Sequence, residues 1–365
     1  MDAPIDLGPA RVAELDAGDM LGAIAGLPGQ LTEGYAVARA RLGDMFGEAG
    51  AAAPPARPTG LAVCGMGGSA IGGDIVLACV PDMPVPSTVV RGYELPAWVG
   101  PPTLIVAASY SGDTEETLSC AAEALARGCR PVCVTSGGRL SAFAREHALP
   151  LVPITGGLQP RASVGHLSAP LLAVLESAGL CAPVQTDLDE AVRLLRAGLA
   201  ELAPGAGQTA EPAKALARTL HGHQTVVYGA GLTVPAARRW KGQINENAKA
   251  PSFWNELPEL DHNELMGWTS LPELTAATAA VFLEDAASDA RLLRRVELTA
   301  AEIEALGVTV VRVRARGSSR LARLFSLVQL GDYVSFYLAL LYGVDPTPVK
   351  AIQDFKARVA GAAGD

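Results

Sequence analysis

The chain has 365 residues, of which 49% are hydrophobic and 18% charged, and its net charge at pH 7 is −9. This length predicts two domains, and the hydrophobic fraction excludes a mostly disordered chain. The acidic balance argues against nucleic acid or an anionic lipid surface as a partner. The most apolar stretch, residues 61–80, is interrupted by glycines and by Asp74, which argues against a membrane span. The N-terminus has acidic residues where a signal peptide needs basic ones. We therefore expect a cytoplasmic protein with no membrane partner.

The first predicted elements are one or two amphipathic helices over residues 10–48, followed by a boundary rich in Pro, Ala and Gly at residues 49–60. Short β runs then alternate with helical runs, which predicts a parallel sheet with helices on both faces. The strand candidates of this half are residues 61–64, 87–91, 103–109 and 131–135. A further helix is predicted at about residues 168–180.

The second half repeats the order strand, glycine turn, helix, with the turn GAGLT where the first half has GMGGS. Another strand is predicted at residues 308–315 and a long helix at residues 319–342. A last helix is expected to begin with Asp345 as N-cap and Pro346 in its first turn. The fold class predicted is α/β, with two doubly wound parallel-sheet domains and helical segments at both ends. The expected bounds are 1–50 for the N-terminal helical segment, 51–183 and 184–343 for the two domains, and 344–365 for the C-terminal helix.

A glycine-rich turn, GMGGSAIGGD, follows the first strand. Glycines allow a ligand to approach bare backbone, and the N–H groups that open the next helix favour an anion. The same letters fit a dinucleotide-binding turn, which requires an acid at the end of the next strand. That strand ends in Arg91, which weakens an NAD site but leaves an NADP site open. A purely structural turn is the third alternative.

Three hydroxyls, on Ser109, Ser111 and Thr114, lie where the strand at 103–109 gives way to a helix. Hydroxyl donors, backbone N–H groups and the helix dipole converge at such a junction, so the pattern predicts a phosphate site. The alternative is helix capping by Ser111 or Thr114, followed by acids in the first turn. Capping accounts for one hydroxyl of the three.

The motifs GMGGSAIGGD and SYSGDTEET together resemble the sugar isomerase (SIS) domain, a five-stranded parallel α/β module that binds phosphosugars. Four later segments narrow the resemblance to the bifunctional phosphoglucose/phosphomannose isomerases. These are QPRAS at 159–163, NENAK at 245–249, ELPELDHNE at 256–264 and the pair Asp345-Pro346 with Lys356 beyond it. The resemblance runs in order over about residues 60 to 358.

This resemblance implies roles for nine residues. Those matching the phosphate-binding set are Gly68, through its backbone, and the hydroxyls of Ser69, Ser109, Ser111 and Thr114. Those matching active-site groups are Arg161, the base Glu246, the ring-opening His262 and Lys356. In this family each subunit has two SIS domains, and the histidine reaches the site of the neighbouring subunit, so a homodimer with His262 in trans is expected. Thr347 is the candidate for a threonine that admits both C2 epimers.

The implied activity interconverts glucose 6-phosphate, and also mannose 6-phosphate, with fructose 6-phosphate through a cis-enediol. A carboxylate suits the proton transfer between C2 and C1, a cation stabilises the enediolate, and an imidazole suits ring opening. No cofactor and no metal is expected. The alternatives are a non-catalytic phosphosugar-binding regulator and an NADP-dependent oxidoreductase.

The residues also have plainer interpretations without the resemblance. Glu246 and Lys249 lie three apart on a predicted helix and would form an exposed ion pair. Arg161 and His262 would be surface residues in loops. Lys356 would lie beside the apolar stripe of the last helix with its charge in solvent.

Overall fold

The computed structural model describes residues 5–46, 58–205 and 211–362. The chain begins with three helices rather than one or two, because the backbone at Asp19 is left-handed and its carboxylate caps the next helix by accepting from Gly22 N at 3.1 Å. These helices are α1 Pro9–Leu15, α2 Met20–Ala25 and α3 Leu27–Phe46. Most of the expected boundary at 49–60 lies outside the described residues.

The first sheet has five parallel strands in the order β2-β1-β3-β4-β5. The strands are β1 Gly60–Cys64, β2 Ser87–Val90, β3 Thr103–Ala108, β4 Val132–Thr135 and β5 Leu151–Pro153. The four strands predicted from the sequence are confirmed. β5 has three residues, too few to show a period-2 pattern.

Four helices belong to this sheet, and α3 packs along the last of them. They are α4 Gly67–Cys79, α5 Glu115–Ala126, α6 Gly138–Glu146 and α7 Val164–Ser177. β1 and β3 are paired in parallel, with Cys64 opposite Ala107. The glycine turn after β1 and the hydroxyl run after β3 therefore leave the sheet at the same edge, where ligands bind in open parallel sheets.

The second sheet has four parallel strands in the order β7-β6-β8-β9. The strands are β6 Gln224–Ala230, β7 Ser252–Leu257, β8 Thr278–Glu284 and β9 Thr309–Arg314. The helices of this half are α8 Gln185–Leu202, α9 Pro212–Leu220, α10 Val234–Asn247, α11 Pro272–Ala276, α12 Ala290–Ala305 and α13 Arg320–Tyr342. The predicted fold class, α/β with two parallel sheets, is confirmed. The domain bounds themselves stay a prediction.

α13 is the central helix of the second half. By length and composition it could cross a membrane, but 89% of its most apolar window is buried within the fold, so it has the surroundings of a core helix. Residues 61–80 are thus not the only long apolar stretch. Trp240 of α10 packs onto Gly331 of α13, where an added Cβ would lie 2.1 Å from the indole nitrogen. The same nitrogen donates to Leu327 O at 2.8 Å, so α10 is fixed closely against the core.

The C-terminal helix corrects one expectation. It runs over α14 Lys350–Ala362, so Asp345 and Pro346 do not begin it. Asp345 instead accepts from Thr347 N at 2.8 Å in a local turn. The carbonyls of Pro346 and Thr347 accept from Arg161, so this stretch is tied to the side chain of Arg161 before the helix begins.

His166, a residue of α7 that is buried where this helix packs against α3, generates a prediction about stability. His166 is 4% exposed, and burial lowers its pKa below the usual 6.5, with Glu33 of α3 opposing the shift. The unfolded chain then binds the proton more readily, so the free energy of unfolding should fall as the pH drops below about 6.5. We expect His166→Gln to lose this component in denaturant titrations between pH 5 and 7.5. An identical pH dependence in both proteins would contradict the prediction.

Candidate active site

The turn between β1 and α4 brings two parts of the chain together. Gly67 has a left-handed backbone (φ +50°), and a Cβ on Gly68 would lie 2.7 Å from Pro160 O. Only glycine permits this approach, which places the first turn of α4 against the short 3₁₀ helix Pro160–Ala162. The backbone of Gly68 and the side chain of Arg161 therefore border the same space.

Three of the predicted hydroxyls are connected through the loop after β3. Ser109 Oγ lies 2.9 Å from Thr114 Oγ1, and Ser69 Oγ accepts from Tyr110 N at 3.2 Å. Gly112 makes the sharp turn between them, because its φ is +77° and a Cβ would meet Gly137 O at 1.9 Å. Ser69, Ser109 and Thr114 thus form a connected group, which we call the hydroxyl cradle.

The capping alternative fails in the structure. Thr114 occupies the N-cap position of α5, but within the described chain no side chain makes the capping hydrogen bond there. Ser111 Oγ accepts from Asp113 N at 3.2 Å, in a turn before the helix, and its residue is exposed. The first N–H groups of α5 therefore lack a side-chain acceptor, which is the condition for holding an anion.

Arg161 is 4% exposed, and four of its five N–H donors have acceptors from the protein, which leaves one N–H of Nη1. Nε donates to Asn247 Oδ1 at 2.6 Å, and Nη2 donates to the carbonyls of Pro346 and Thr347, both at 2.7 Å. Burial lowers the pKa of this guanidinium, and Glu246 opposes that effect. Nη1 lies 3.5 Å from Glu246 Oε2 and is the nitrogen left to interact with a ligand.

Glu246 lies in the last turn of α10, with its side chain 34% exposed beside the buried Arg161. The simple ion pair of Glu246 with Lys249 is not formed. Lys249 Nζ instead donates to the main-chain carbonyl of Glu246 and to Pro346 O at 3.1 Å. Partial burial, followed by the charge of Arg161, lowers the pKa of Lys249 to about 8.

A buried polar network holds α10 in place, and the sequence reasoning missed it. Asp332 of α13 accepts from Arg239 Nε at 3.0 Å and Nη2 at 2.7 Å, and from Gln243 Nε2 at 2.8 Å. Arg239 Nη2 also donates to Arg161 O at 2.8 Å. Burial raises the pKa of Asp332, and Arg239 opposes that. The available signal was an acid in the middle of an otherwise apolar helix, since such a residue needs a buried partner.

Gly68, Arg161, Arg239 and Glu246 line a cavity of about 240 Å³ between the two halves of the chain. Its walls hold five cationic side chains and one carboxylate, so it favours an anion although the whole chain carries −9. The charged residues of the wall are Arg91, Arg161, Arg238, Arg239, Lys241 and Glu246. Gly67 and Gly68 form the wall nearest in sequence to the hydroxyl cradle.

Arg91, the residue that left an NADP site open, lines this cavity and already forms an ion pair within the protein. It pairs with Asp74 of α4, which also accepts from Arg238 Nη1 at 3.0 Å. A larger cavity, of about 810 Å³, adjoins at Arg91 and Arg238 and is lined by the edge strand β2 and residues 256–259. Among the described residues, no group of three or more His, Cys, Asp or Glu side chains is arranged to hold a metal ion.

Of the nine predicted residues, Gly68, Arg161 and Glu246 line this cavity. The six that do not are Ser69, Ser109, Ser111, Thr114, His262 and Lys356. His262 is exposed at the end of the 3₁₀ helix Glu259–His262, and within the described chain its ring has no hydrogen-bond partner. The turn is nevertheless anchored, because Asp261 accepts from Arg295 Nη1 at 2.9 Å and Leu260 is fully buried. Lys356 is exposed on α14.

Thr347 lies close to the site without lining it. Its carbonyl accepts from Arg161, and its Oγ1 is buried with no partner among the described residues. A Cβ on Gly18 would lie 2.5 Å from this side chain. The turn at Gly18, between α1 and α2, therefore packs against the Thr347 side chain. The role of Thr347 in epimer choice stays a prediction.

Comparisons with known proteins agree on one family. The family model described as the bacterial phospho-glucose isomerase C-terminal SIS domain matches residues 209–359. The chain is 41% identical to the bifunctional phosphoglucose/phosphomannose isomerase of Caldicellulosiruptor bescii, over 82% of this chain and 88% of that protein. It is 38% identical to the protein of the same name from Aquifex aeolicus, over 81% of this chain and 89% of that protein.

Solved structures share the fold. A hypothetical protein from Thermus thermophilus superposes with a TM-score of 0.74 at 17% identity, covering 98% of this chain and 93% of that one. The C-terminal domain of glucosamine-fructose-6-phosphate aminotransferase from Francisella tularensis gives a TM-score of 0.67 at 16% identity, covering 90% of this chain and 98% of that one. At these identities the likeness concerns the fold alone.

The uncapped start of α5 generates a prediction about phosphate binding. Ser111→Ala and the shape-preserving Thr114→Val should each weaken the binding of a hexose 6-phosphate by about 1.5–3 kcal/mol, the range for hydrogen bonds to charged groups. Titration calorimetry measures the loss. Because Thr114 makes no capping bond, its replacement should leave the thermal unfolding temperature close to that of wild type.

Ser119→Ala is the matched control, since Ser119 lies on the same helix and donates to Tyr93 O. It should bind the sugar phosphate as wild type does. Unchanged affinity in both Ser111→Ala and Thr114→Val, with a lowered unfolding temperature, would assign the two hydroxyls to capping instead.

Proposed function

The chain belongs to the bifunctional phosphoglucose/phosphomannose isomerase family, and from this we infer that it is an aldose–ketose isomerase. It interconverts glucose 6-phosphate and mannose 6-phosphate with fructose 6-phosphate. The observation that best supports a site for this reaction is the pairing of Glu246 with the buried Arg161, in a cationic cavity whose wall includes Gly68, the residue directly before Ser69 of the hydroxyl cradle. The pairing supplies a base and a fixed cation at one place.

In the proposed mechanism Glu246 moves the proton between C2 and C1. Its carboxylate is partly exposed to the cavity, so it can reach a substrate carbon, and it lies beside a cation that keeps its charge throughout the reaction. The cis-enediol intermediate develops negative charge on oxygen. Nη1 of Arg161 is proposed to stabilise that charge, because the protein already occupies the other nitrogens of this group.

We propose that the hydroxyl cradle with Ser111 and the backbone of Gly68 binds the phosphate. The uncapped first turn of α5 supports this, since it offers N–H donors and the positive end of a helix dipole. The proton transfer would then take place at the cavity wall formed by α10 and Arg161. A sugar phosphate held at its charged end would be oriented toward that wall.

His262 is proposed to open the sugar ring in the site of a second subunit. Two observations support a position in trans: the imidazole is exposed to solvent on an anchored turn, and several large apolar side chains between residues 253 and 274 are exposed. Those side chains are Phe253 at 53%, Met266 at 73%, Leu271 at 65% and Leu274 at 54%. Exposed apolar side chains favour burial in a subunit interface, and a two-fold dimer would contain two composite sites.

Lys356 is proposed to reach the site when α14 docks. α14 exposes an apolar stripe of Ile352 (43%), Phe355 (59%) and Val359 (42%), which favours packing against another surface. The helix begins three residues after Thr347, whose carbonyl is bound to Arg161. The helical rise from Lys350 to Lys356 is about 9 Å, so Lys356 lies less than two turns from the start of α14.

The remaining proposals concern organisation and location. We place the two SIS domains at 51–183 and 184–343, one sheet in each. The six cysteines are all free, which is what a reducing compartment favours, and we propose the cytoplasm.

The activity is tested by a coupled assay in which fructose 6-phosphate is formed from each aldose phosphate. We expect turnover of both, unchanged by EDTA. Glu246→Gln should still bind substrate but slow isomerisation by roughly 10²–10⁴, the contribution of a positioned general base. Glu302→Gln, at an exposed acid on α12, is the control and should have wild-type activity.

Three results would count against this function. Binding of fructose 6-phosphate without turnover would indicate a non-catalytic sugar-phosphate regulator. Loss of activity in EDTA with recovery in zinc would overturn the metal-free mechanism. Normal exchange of the C2 hydrogen with solvent in Glu246→Gln would assign the proton transfer to another residue.

Complementation tests the position of His262. Glu246→Gln and His262→Ala homodimers should each be nearly inactive. In a mixed dimer with His262 acting in trans, one site receives both defects and the other receives none. Random exchange makes about half of the dimers mixed, so activity should return to roughly a quarter of wild type. Verified mixed dimers without recovery would place His262 in its own subunit's site or outside the reaction.

A further inference from the structure

Lys249 has a backbone conformation that lysine rarely adopts. It follows the C-cap Ala248 of α10, and its φ is +57°, in the left-handed region where helices usually end with glycine. A side chain at this position strains the backbone. The strained residue lies three positions after the proposed base Glu246. We therefore expect the side chain of Lys249 to make interactions that offset the backbone strain.

That side chain bridges two segments. Its Nζ donates to the carbonyl of Glu246, one of the last carbonyls of α10, and to the carbonyl of Pro346 at 3.1 Å. Pro346 O also accepts from Arg161 Nη2 at 2.7 Å. One carbonyl is therefore shared by Lys249 and by the arginine that pairs with Glu246.

We propose that Lys249 is a positioning residue for the isomerisation: its ammonium fixes the end of α10 that carries Glu246 to the loop 345–349 that holds Arg161. This inference rests on the proposed function, because it assigns Glu246 and Arg161 to the reaction. Through these bonds Lys249 sets the separation between the base and the cation. A misplacement of about 1 Å between such groups is enough to cost about 100-fold in rate.

The charges that face Lys249 come from three elements. Arg161 from the 3₁₀ helix lowers its pKa, whereas Asp345 from the loop after α13 and Glu246 from α10 raise it; partial burial is the largest effect, and the pKa is about 8. The ammonium therefore loses its proton as the pH rises through about 8. The rate should decline over that range, and it should not decline in Lys249→Arg, whose guanidinium stays charged.

The chain offers a matched pair of variants. Lys249→Gly removes the side chain and relieves the left-handed backbone, so the fold should keep its thermal stability. Ala148→Gly relieves a left-handed backbone (φ +48°) at the end of α6 in the first half of the chain, with no charged side chain removed. Lys249→Met removes the charge and leaves the backbone strain.

We expect Lys249→Gly and Lys249→Met to lower kcat about 10- to 100-fold with KM within about twofold of wild type. Ala148→Gly should leave both unchanged. Hydrogen exchange measured by mass spectrometry should become faster in residues 344–350 of the two Lys249 variants, and not in Ala148→Gly. Hydrogen exchange is measured without substrate, so it tests the bridge formed by Lys249 independently of activity. If the wild-type protein turned over no sugar phosphate, that result would refute the proposed function and leave the exchange measurement valid.

Two results would overturn the inference. One is unchanged exchange in residues 344–350 of both Lys249 variants. The other is wild-type kcat in Lys249→Gly together with a lowered unfolding temperature, which would make Lys249 a helix cap and nothing more.

Discussion

The site depends on the burial of one guanidinium. A charge removed from water must be matched by hydrogen bonds, and Arg161 obtains them from Asn247 on α10 and from the carbonyls of Pro346 and Thr347. These partners come from the second half of the chain and from the loop after α13, while Arg161 itself follows β5 of the first half. Satisfying this single side chain therefore draws together α10, the loop after α13 and the segment that follows β5.

A second buried charge holds the first in place. Asp332 lies at the centre of α13 and binds Arg239, which in turn donates to the carbonyl of Arg161. Arg239 and Asp332 are each 3% exposed at the side chain, so removing either would leave an uncompensated charge in the core. The core of the second half thus supports Arg161, a site residue that belongs to the first half.

The two halves have diverged at equivalent places. Thr233, which corresponds to Ser69 in the repeated turn, donates its hydroxyl to Leu283 O at 2.8 Å. The helix after β8 is capped by Asp289, which accepts from Arg291 N at 2.8 Å, whereas the helix after β3 has no such cap. Asp289 therefore occupies a backbone donor that an anion would need, whereas the corresponding donors of α5 have no side-chain acceptor. The second half therefore supplies the base and its support, and the first half supplies the proposed anion site.

The sequence by itself determined the fold class, most strands of the first sheet and the family, because these follow from local periodicity and from motifs that are contiguous in the chain. Through the resemblance it also predicted Arg161 and Glu246 as active-site residues. It described them only as an arginine in a loop and a glutamate on a helix. The tertiary structure decided that Arg161 is buried, that it and not Lys249 pairs with Glu246, and that residues 345–349 form a loop instead of a helix. It also revealed Asp332 and Arg239 as the support of α10. These features depend on hydrogen bonds between residues 78 to 186 positions apart, and no local pattern of residue types encodes which distant carbonyl will satisfy a buried charge.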